Sequence, residues 1–325
     1  MKFLRKLVII LVILLALPVG ASLLLSPPSA GRAAAENLAI AYPAVVAHRG
    51  MSHDAPEETR SAYLLARTVR ADYLEMDLQR TRDGVLVAFH DDTLERTTNV
   101  AEIFPGREKQ TLDRFTWYEL QRLDAGSWFN AAHPERARPS FVGEKILKLE
   151  EFLEIAEFVT DDYRPGIYIE TKAASRFPGI ERQLVDLLDR RGWLEADRRG
   201  RIIFQSFEYD SLVALKALAP QVPRVYLIDS EMAASAGFDT LIERARGVAE
   251  GVGPVGYLAW PWYTGPAHRA GLLVHHYTIN AKWQMRLLSF FGSDGFFTDR
   301  ADQLMLFYGK DDHIDLRAAF QQIGY

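Results

Sequence analysis

The sequence predicts an α/β protein: a (β/α)8 barrel of the TIM type, with an insertion after the hairpin on its second strand. From about residue 43 onward, short apolar strands alternate with helical patterns, as expected for repeated βα units. Two of the nine strand-like segments are joined too closely to be parallel neighbours, which leaves eight parallel strands. The alternative is a doubly wound open sheet, but no glycine-rich nucleotide loop follows the first strand.

The first 35 residues differ from the rest of the chain. Lys2, Arg5 and Lys6 precede an uncharged run from Leu7 to Leu25, and small residues follow. A basic start, an apolar run and small residues are typical of a secretory signal, although the run is also just long enough to span a bilayer. We therefore expect residues 1–35 to be a signal peptide or an N-terminal membrane anchor, and residues 36–325 to form a single barrel domain. The protein would then be exported, either periplasmic or secreted, and a retained leader would anchor it through residues 7–25.

The charge balance limits the partners of the barrel domain. The formal net charge is −5, and removal of the four basic residues in 1–35 would take it to −9. An acidic body disfavours binding to nucleic acid and to anionic lipid, so the N-terminal segment is the only expected membrane contact. The chain has no cysteine, which excludes thiolate metal sites and a cysteine nucleophile. Nothing in the sequence indicates an oligomeric state.

Each predicted strand is a short apolar run bounded by turn-forming or polar residues. In chain order the strands are Val45–His48, Tyr73–Leu78, Leu86–His90, Ile167–Glu170, Ile202–Ser206, Arg224–Ile228, Gly256–Trp260, Leu272–Thr278 and Gly295–Thr298. Helical patterns separate most of them. The first, Thr59–Arg70, places Ala62, Leu65, Ala66 and Val69 on one face.

The second and third strands are predicted to form a hairpin. Only Asp83 and Gly84 separate them, and this dipeptide is typical of a two-residue hairpin turn. Arg82 would then pair with Val85, and the same register would place Asp77 opposite His90. Residues 92–148 interrupt the alternation of strands and helices, and we interpret them as an insertion packed over one mouth of the barrel.

Two predicted strands end in acidic residues. Glu75 and Asp77 lie two positions apart, so they share one face of their strand and repel each other unless a cation lies between them. The strand Ile167–Glu170 also ends in an acid, followed by Lys172. Because all strands of a barrel end at one face, this second acid favours a cation site over an ordinary solvated strand.

The first strand ends in His48-Arg49-Gly50. Arginine offers a planar donor pair to phosphate oxygens, and glycine permits a sharp turn. His48 and His90 would reach the same mouth of the barrel. Two imidazoles on either side of a phosphodiester are suited to general acid and general base catalysis near neutral pH.

Together these motifs resemble the glycerophosphodiester phosphodiesterase family. The resemblance rests on His48-Arg49-Gly50, Pro56-Glu57-Glu58-Thr59, Leu74–Leu78, Asp83-Gly84, His90-Asp91-Asp92, Thr93–Thr98, Leu123–Phe129, Glu170-Thr171-Lys172, Gln205-Ser206-Phe207, Tyr277–Asn280 and Asp294–Asp299. One departure is Glu58, which stands where the family motif has asparagine. The long insertion and the export signal are more similar to secreted or periplasmic members.

The resemblance implies a role for each matched residue. Glu75, Asp77 and Glu170 would bind one divalent cation, Ca²⁺ or Mg²⁺. His48 and His90 would be the acid/base pair, and Arg49 and Lys172 would contact the phosphate. Glu57 would be a metal ligand or a support for Arg49. Tyr277, Trp128 and Phe207 are candidates for the substrate pocket, and Tyr277 at a strand end fits barrel packing equally well.

The expected function is metal-dependent hydrolysis of a small glycerophosphodiester to glycerol 3-phosphate and an alcohol. A lysophospholipase D acting on lysophospholipids is the first alternative, because the insertion is rich in aromatic residues and the leader is a potential anchor. A phosphate-binding barrel without catalytic activity is the second alternative.

Overall fold

The structure is a computed structural model that describes residues 29–325 except 159, 161 and 259, together with isolated positions between 5 and 20. Its strands are β1 Ala44–Ala47, β2 Tyr73–Arg80, β3 Leu86–Ala88, β4 Gly166–Thr171, β5 Ile202–Ser206, β6 Arg224–Ile228, β7 Gly251–Pro254, β8 Leu273–His276 and β9 Gly295–Thr298. Its α-helices are α1 Ser29–Leu38, α2 Arg60–Thr68, α3 Val100–Ile103, α4 Trp117–Leu120, α5 Ser127–Ala132, α6 Leu149–Ala156, α7 Ile180–Arg190, α8 Tyr209–Leu218, α9 Ser230–Ala236, α10 Phe238–Arg246, α11 Pro261–Arg269, α12 Lys282–Phe290, α13 Ala301–Phe307 and α14 Leu316–Gln322.

The sheet closes on itself. The strand order is β1-β9-β8-β7-β6-β5-β4-β2, and β1 also pairs with β2, so eight parallel strands form a barrel. The remaining strand, β3, is antiparallel to the carboxyl-terminal half of β2. The prediction of a (β/α)8 barrel with a hairpin on its second strand is confirmed.

Alternation along the strands separates an apolar floor from a polar mouth. The interior of the barrel buries residues such as Val46, Tyr168 and Phe297, which belong to one apolar cluster. Two residues further along each of these strands lie His48, Glu170 and Asp299. Because side chains repeat every two residues, the same interior face that is apolar below becomes polar at the carboxyl end.

The hairpin register differs by one residue from the prediction. Thr81 pairs with Val85 through the amide of Thr81, so the loop has three residues and ends at Gly84, whose φ is +89°. A three-residue loop with a glycine in this conformation is a common hairpin connection. Asp77 therefore faces Phe89, whose amide donates to the Asp77 carbonyl. His90 lies one position beyond the pairing that was predicted for it.

The seventh strand also lies elsewhere than predicted. Residues 251–254 form β7, and Gly256–Leu258, from the predicted strand 256–260, form a 3-10 helix. The strand Gly-Val-Gly-Pro has little intrinsic preference for β structure. Close packing explains its glycines, because a Cβ on Gly253 would lie 2.7 Å from Cδ2 of Leu227 on the neighbouring strand.

The chain closes the amino-terminal end of the barrel with helix α1. Ala35 on this helix is fully buried in the same cluster as Val46 and Tyr168, and Arg199 donates to the carbonyl of Asn37. The domain boundary predicted at residue 35 thus falls inside a helix that packs on the barrel. Most of the predicted leader or anchor, residues 7–25, lies outside the described residues. Within the described part of the chain, no helix has the length and apolarity needed to cross a membrane.

The insertion is built from short helices around its own apolar core. Phe115 and Leu112 pack there with Val87 and Phe89 of the hairpin. Phe129 and Phe141 are also fully buried. The insertion therefore extends the barrel wall beside the second strand. Its aromatic side chains range from buried, as in Phe115, to exposed, as in Tyr118.

Candidate active site

A cavity of about 180 Å³ opens at the carboxyl ends of the barrel strands. This is the end at which barrel enzymes place their catalytic groups. The cavity is lined by His48, Arg49, Glu75, Asp77, His90, Glu170, Lys172, Gln205, Phe207, Leu227, Tyr277, Thr278 and Phe297. The structure therefore brings together both predicted catalytic histidines, both predicted phosphate ligands and all three predicted metal ligands.

The acidic residues form a buried cluster beside the barrel axis. Glu58, Glu75 and Asp77 can each offer an oxygen such that the three oxygens lie within 4.8 Å of one another. Glu170 lies on the neighbouring strand β4, paired in register with Asp77. Burial, together with the neighbouring carboxylates, raises the pKa values of Glu58 and Glu75 well above their ordinary range. The pKa of Glu170 is raised to about 7, chiefly by burial.

This cluster could hold a hard cation. Its donors are carboxylate oxygens, which Ca²⁺ and Mg²⁺ prefer. Among the described residues, Oδ2 of Asp77 and Oε1 of Gln205 are buried and accept no hydrogen bond. Buried oxygens rarely remain without a partner, and a metal ion is one of the partners that explains them.

Two cationic side chains that line the cavity form ion pairs with the acidic cluster. Nε of Arg49 lies 3.2 Å from Oδ2 of Asp77, and Nζ of Lys172 lies 3.4 Å from Oδ1 of the same residue. Lys172 also lies 3.1 Å from Glu170. Against the effect of burial, Lys172, His90 and Arg49 hold the pKa of Asp77 far below its ordinary value. Asp77 is therefore ionised, whereas burial favours the protonated form of the neighbouring Glu58 and Glu75.

Arg49 is fixed by its backbone as well as by its side chain. Its φ of +55° is unusual for a residue other than glycine, and its amide donates to Oε2 of Glu75 over 2.8 Å. Nη1 of the guanidinium donates to Glu57 over 2.9 Å. Both oxygens of Glu57 are occupied, because Arg96 donates to each of them. Of the two predicted roles of Glu57, these contacts fit the support of Arg49.

Each histidine is oriented by a carboxylate. Nδ1 of His48 lies 2.7 Å from Oδ1 of Asp299, and Nδ1 of His90 lies 2.6 Å from Oδ1 of Asp91. An Nδ1–H that donates to a carboxylate leaves Nε2 with its lone pair. Burial and the neighbouring Arg49 lower the pKa of His48. The nitrogen available to a substrate is thus Nε2 in both residues.

The two carboxylates are themselves held in place. Asn280 and Ser52 donate to Asp299, and against the effect of burial these bonds and His48 lower its pKa to about 2. Arg96 donates to both oxygens of Asp91. Because Arg96 also binds Glu57, one network of ion pairs joins His90 to Arg49 across the mouth of the cavity.

The three candidate pocket residues have different positions. Phe207 and Tyr277 line the cavity, with their rings in an edge-to-face contact at 5.8 Å. Trp128 does not, which corrects the prediction for this residue. Its indole donates to the carbonyl of Ala125 inside the insertion, and Arg96 lies over its ring. Its contact with the site is indirect, through Arg96.

Residues 48–303 match the model of the Glycerophosphoryl diester phosphodiesterase family. The chain belongs to this family. The prediction that it is a phosphoric diester hydrolase of the glycerophosphodiester phosphodiesterase type is thereby confirmed.

Relatives in the family cover most of the chain. It is 39% identical over 259 residues to a glycerophosphodiester phosphodiesterase of Bacillus subtilis, spanning 79% of this chain and 83% of the relative. It is 30% identical over 262 residues to one of Caldanaerobacter subterraneus, spanning 80% and 96%. Among solved structures, a phosphodiesterase of Oleispira antarctica in complex with the product sn-glycerol 3-phosphate is 28% identical, with a TM-score of 0.68 over 82% of this chain and 97% of that one.

Several members of this family site were not assigned a role from the sequence. Asp299 and Asp91 orient the histidines, and Gln205 donates to Glu75 over 3.0 Å. The carboxyl group of Glu58 accepts from the Tyr63 hydroxyl and from the Asp77 amide. A signal existed for Asp91, which follows its histidine directly. Asp299 is 251 residues from His48, so only the closure of the barrel reveals that pair.

Proposed function

We propose that this member of the family hydrolyses glycerophosphodiesters to glycerol 3-phosphate and an alcohol. The observation that carries the proposal is the pair of histidines, each backed by a carboxylate, which share one cavity with Arg49, Lys172 and the acidic cluster. This combination provides charge for a phosphate and two imidazole nitrogens for proton transfer. A relative crystallised with sn-glycerol 3-phosphate supports the product.

The acidic residues are proposed to hold one divalent cation, Ca²⁺ or Mg²⁺. Glu75, Asp77 and Glu170 are the ligands that the family resemblance implies, and Glu58 contributes a further carboxylate close to them. When bound, such an ion polarises a phosphoryl oxygen and offsets charge that develops on it. Oδ2 of Asp77 is ion-paired with Arg49 but accepts no hydrogen bond, which leaves it able to bind a metal ion and supports this assignment.

Arg49 and Lys172 are proposed to position the phosphate. Both already face the cavity, and each is held by carboxylates that fix its direction. A guanidinium offers two parallel donors to phosphate oxygens, and an ammonium acts as a point charge. Preorganised donors of this kind stabilise charge in the transition state without reorganising.

The histidines are proposed to transfer the protons. Nε2 of one imidazole accepts the proton of the attacking hydroxyl, and the other imidazole donates a proton to the oxygen of the departing alcohol. Asp299 and Asp91 keep each ring in the required tautomer and stabilise its protonated form. The attacking hydroxyl is water or the neighbouring hydroxyl of the glycerol.

The leader is proposed to direct export, with the protein periplasmic or secreted. The basic start and the uncharged run from Leu7 to Leu25 support this proposal. Because α1 packs on the barrel, a cut that preserves the fold would lie before Ser29.

Product analysis with glycerophosphocholine tests the function. We expect glycerol 3-phosphate and choline in equal amounts. Release of glycerol and phosphocholine instead would mean that the other phosphoester bond is cleaved. Absence of any product in the presence of either cation would overturn the proposal.

A further inference from the structure

The catalytic cavity is flanked by an arginine that does not line it. Arg96 follows β3 on the first loop of the insertion, and its guanidinium binds two carboxylates at once. Nε and Nη2 donate to the two oxygens of Asp91 over 2.5 and 2.9 Å. Nη1 and Nη2 donate to the two oxygens of Glu57 over 2.8 and 2.6 Å. Because both contacts are bidentate, the planar guanidinium fixes the two carboxylates relative to each other.

Each of these carboxylates holds one functional side chain of the site. Oδ1 of Asp91 accepts from Nδ1 of His90 over 2.6 Å. Oε1 of Glu57 accepts from Nη1 of Arg49 over 2.9 Å. They are the same two oxygens to which Nη2 of Arg96 donates. A single nitrogen atom therefore links the oxygen that orients the imidazole to the oxygen that orients the guanidinium of the site.

The insertion holds Arg96 in this position. Leu94 is fully buried in the core of the insertion, and its carbonyl accepts from the hydroxyl of Thr98 over 2.6 Å, which fixes the loop on both sides of Arg96. The guanidinium carbon of Arg96 lies 5.8 Å from the centre of the Trp128 ring, on helix α5. No residue between 92 and 148, a range that the structure describes in full, lines the catalytic cavity. Through Arg96 the insertion thus joins the network of the site from outside the cavity.

The exposure of Arg96 argues against a role in stability. Its side chain is 45% exposed, whereas those of Glu57 and Asp91 are 12% and 23% exposed. Ion pairs of exposed side chains add little to the free energy of unfolding, because solvent screens the charges and the side chains lose conformational freedom. Bidentate contacts within a network of several charges instead fix the directions of the groups. The arrangement is therefore suited to the alignment of the side chains that it joins.

We propose that Arg96 is a positioning residue for the reaction, which aligns His90 and Arg49 on the same phosphodiester. The inference rests on the proposed function and adds one residue to it. Arg96 does not line the cavity and acts through Asp91 and Glu57. With both carboxylates fixed, the imidazole faces the oxygen with which it exchanges a proton while the guanidinium holds the phosphate. Catalysis depends steeply on such alignment, since a misplacement of about 1 Å can cost about a hundredfold in rate.

Substitution of Arg96 measures its contribution. Arg96→Met should lower kcat/KM for glycerophosphocholine by about a hundredfold. Arg96→Lys keeps the charge, but an ammonium cannot bind two carboxylates in a bidentate manner, so this variant should lose at least about tenfold. Arg107→Met is the matched control, because Arg107 also lies on the insertion, donates to Glu119 over 2.6 Å and lies over the ring of Phe115. Activity of Arg96→Met and Arg96→Lys within about twofold of Arg107→Met would overturn the proposal.

The two arms of the network distinguish positioning from a general loss of structure. Asp91→Ala releases the His90 ring and should lower kcat. Glu57→Ala releases Arg49 and should chiefly raise KM, because phosphate binding already acts in the ground state. Arg96→Met should change both constants.

A combined variant tests whether Arg96 acts through these two carboxylates. In a protein that already carries Asp91→Ala and Glu57→Ala, Arg96→Met should cost less than about twofold, because nothing remains for its guanidinium to position. A loss in that background as large as the loss in the wild type would show that Arg96 acts by another route and would overturn the proposal.

Thermal unfolding provides the check on stability. Arg96→Lys should lower the melting temperature by no more than about 4 °C, as expected for the loss of exposed ion pairs. A larger fall would assign a structural role to Arg96 and contradict the proposal.

A binding measurement separates this proposal from the proposed function. Titration calorimetry with sn-glycerol 3-phosphate should show about tenfold weaker binding to Arg96→Met, and Arg107→Met should bind as the wild type does. A protein that hydrolyses no glycerophosphodiester but shows this loss would refute the proposed function and keep the positioning role of Arg96. Equal affinity of Arg96→Met and the wild type would overturn the proposal whether or not the protein is active.

Discussion

At the scale of single residues, the pairing of each histidine with a carboxylate decides what the site can do. Asp299 and Asp91 accept from Nδ1 of His48 and His90, which leaves Nε2 of each ring free to exchange a proton. The two rings reach the cavity from different strands, so they can serve opposite sides of a bound diester.

Removal of either imidazole should therefore be costly. His48→Ala and His90→Ala should each lower kcat by roughly 10²–10⁴-fold, the usual contribution of a general acid or base. His53→Gln is the control, because Nδ1 of His53 lies 3.3 Å from Asp54 and the residue does not line the cavity. Steady-state kinetics on glycerophosphocholine, with circular dichroism to check folding, provide the measurement. Activity near that of the wild type in either alanine variant would reject the assignment.

Residue types at the strand ends predicted which side chains share the cavity better than they predicted the side-chain contacts around it. His48, Arg49 and Lys172 could be placed at one cavity from the sequence because each lies at the end of a strand. Their role in the reaction remains a prediction. The contacts of Glu57 and Trp128 could not be read in the same way, because they depend on Arg96, a loop residue that links them. A loop side chain such as Arg96 is not placed by the register of a strand. Its contacts therefore cannot be predicted from the positions of residues along the sequence.

At the scale of elements, one glycine fixes how the first strand turns into the site. Gly50 has φ +81°, and a Cβ there would lie 2.6 Å from the carbonyl carbon of Ala62 in helix α2. Neither the conformation nor the space suits another residue. The turn that positions Arg49 thus depends on the approach of α2 to the end of β1.

Gly50→Ala should therefore lower the free energy of unfolding by more than the conformational cost alone. Overpacking of a rigid contact adds about 1–3 kcal/mol. Gly143→Ala is the matched control, since Gly143 has φ +84° and open space around it. Chemical denaturation of the two variants measures the difference. Equal destabilisation of both would show that the contact with α2 carries no cost.

The elements show where sequence patterns were sufficient. Strands made of apolar, β-branched residues, such as β1 and β5, lie close to their predicted bounds. The predicted hairpin register was wrong because loop length, which depends on one backbone conformation at Gly84, shifts every pair by one residue. Strand β7 was missed because its glycines serve close packing in the closed barrel, and packing partners are distant in sequence.

At the scale of the whole molecule, the amino-terminal helix completes the floor of the barrel. Ala35 packs under Val46 and Tyr168, and Gly31 lies against Asp294 at the start of β9. The floor and the catalytic mouth lie at opposite ends of the strands. A chain that begins at residue 29 keeps this floor, and one that begins at residue 39 loses it.

Truncation tests this division of the chain. The protein 29–325 should unfold at the same temperature as the full chain. The protein 39–325 should unfold at a lower temperature, by roughly 2–4 °C for each kcal/mol of lost contacts. Calorimetry of both proteins is the measurement. Identical melting temperatures would show that α1 adds nothing to the domain.

Two buried histidines predict an acid-sensitive fold. Burial lowers the pKa of His275 to about 4 and that of His276 to about 3, so both are neutral in the folded protein at neutral pH. The unfolded chain binds a proton at each histidine near its ordinary value of about 6.5. As the pH falls from about 6.5 toward 4, the unfolded state gains protons that the folded state does not, and stability decreases.

His276→Gln should remove part of this dependence. Between about pH 6 and pH 4, the free energy of unfolding of the variant should fall less steeply than that of the wild type, by up to about 1.4 kcal/mol per pH unit. The exposed His313→Gln is the control and should follow the wild type. Urea denaturation across this pH range measures the slopes. Parallel slopes for His276→Gln and the wild type would contradict a neutral buried imidazole.

The proposed reaction requires a cation held by buried acids beside two histidines. Choline release from glycerophosphocholine, measured with chelator and then with Ca²⁺ or Mg²⁺ restored, tests it most directly. We expect activity to disappear with chelator, to return with one of these ions, and to stay absent in Glu75→Gln whichever ion is added. Full activity in the presence of chelator, or full activity of Glu75→Gln, would contradict the account.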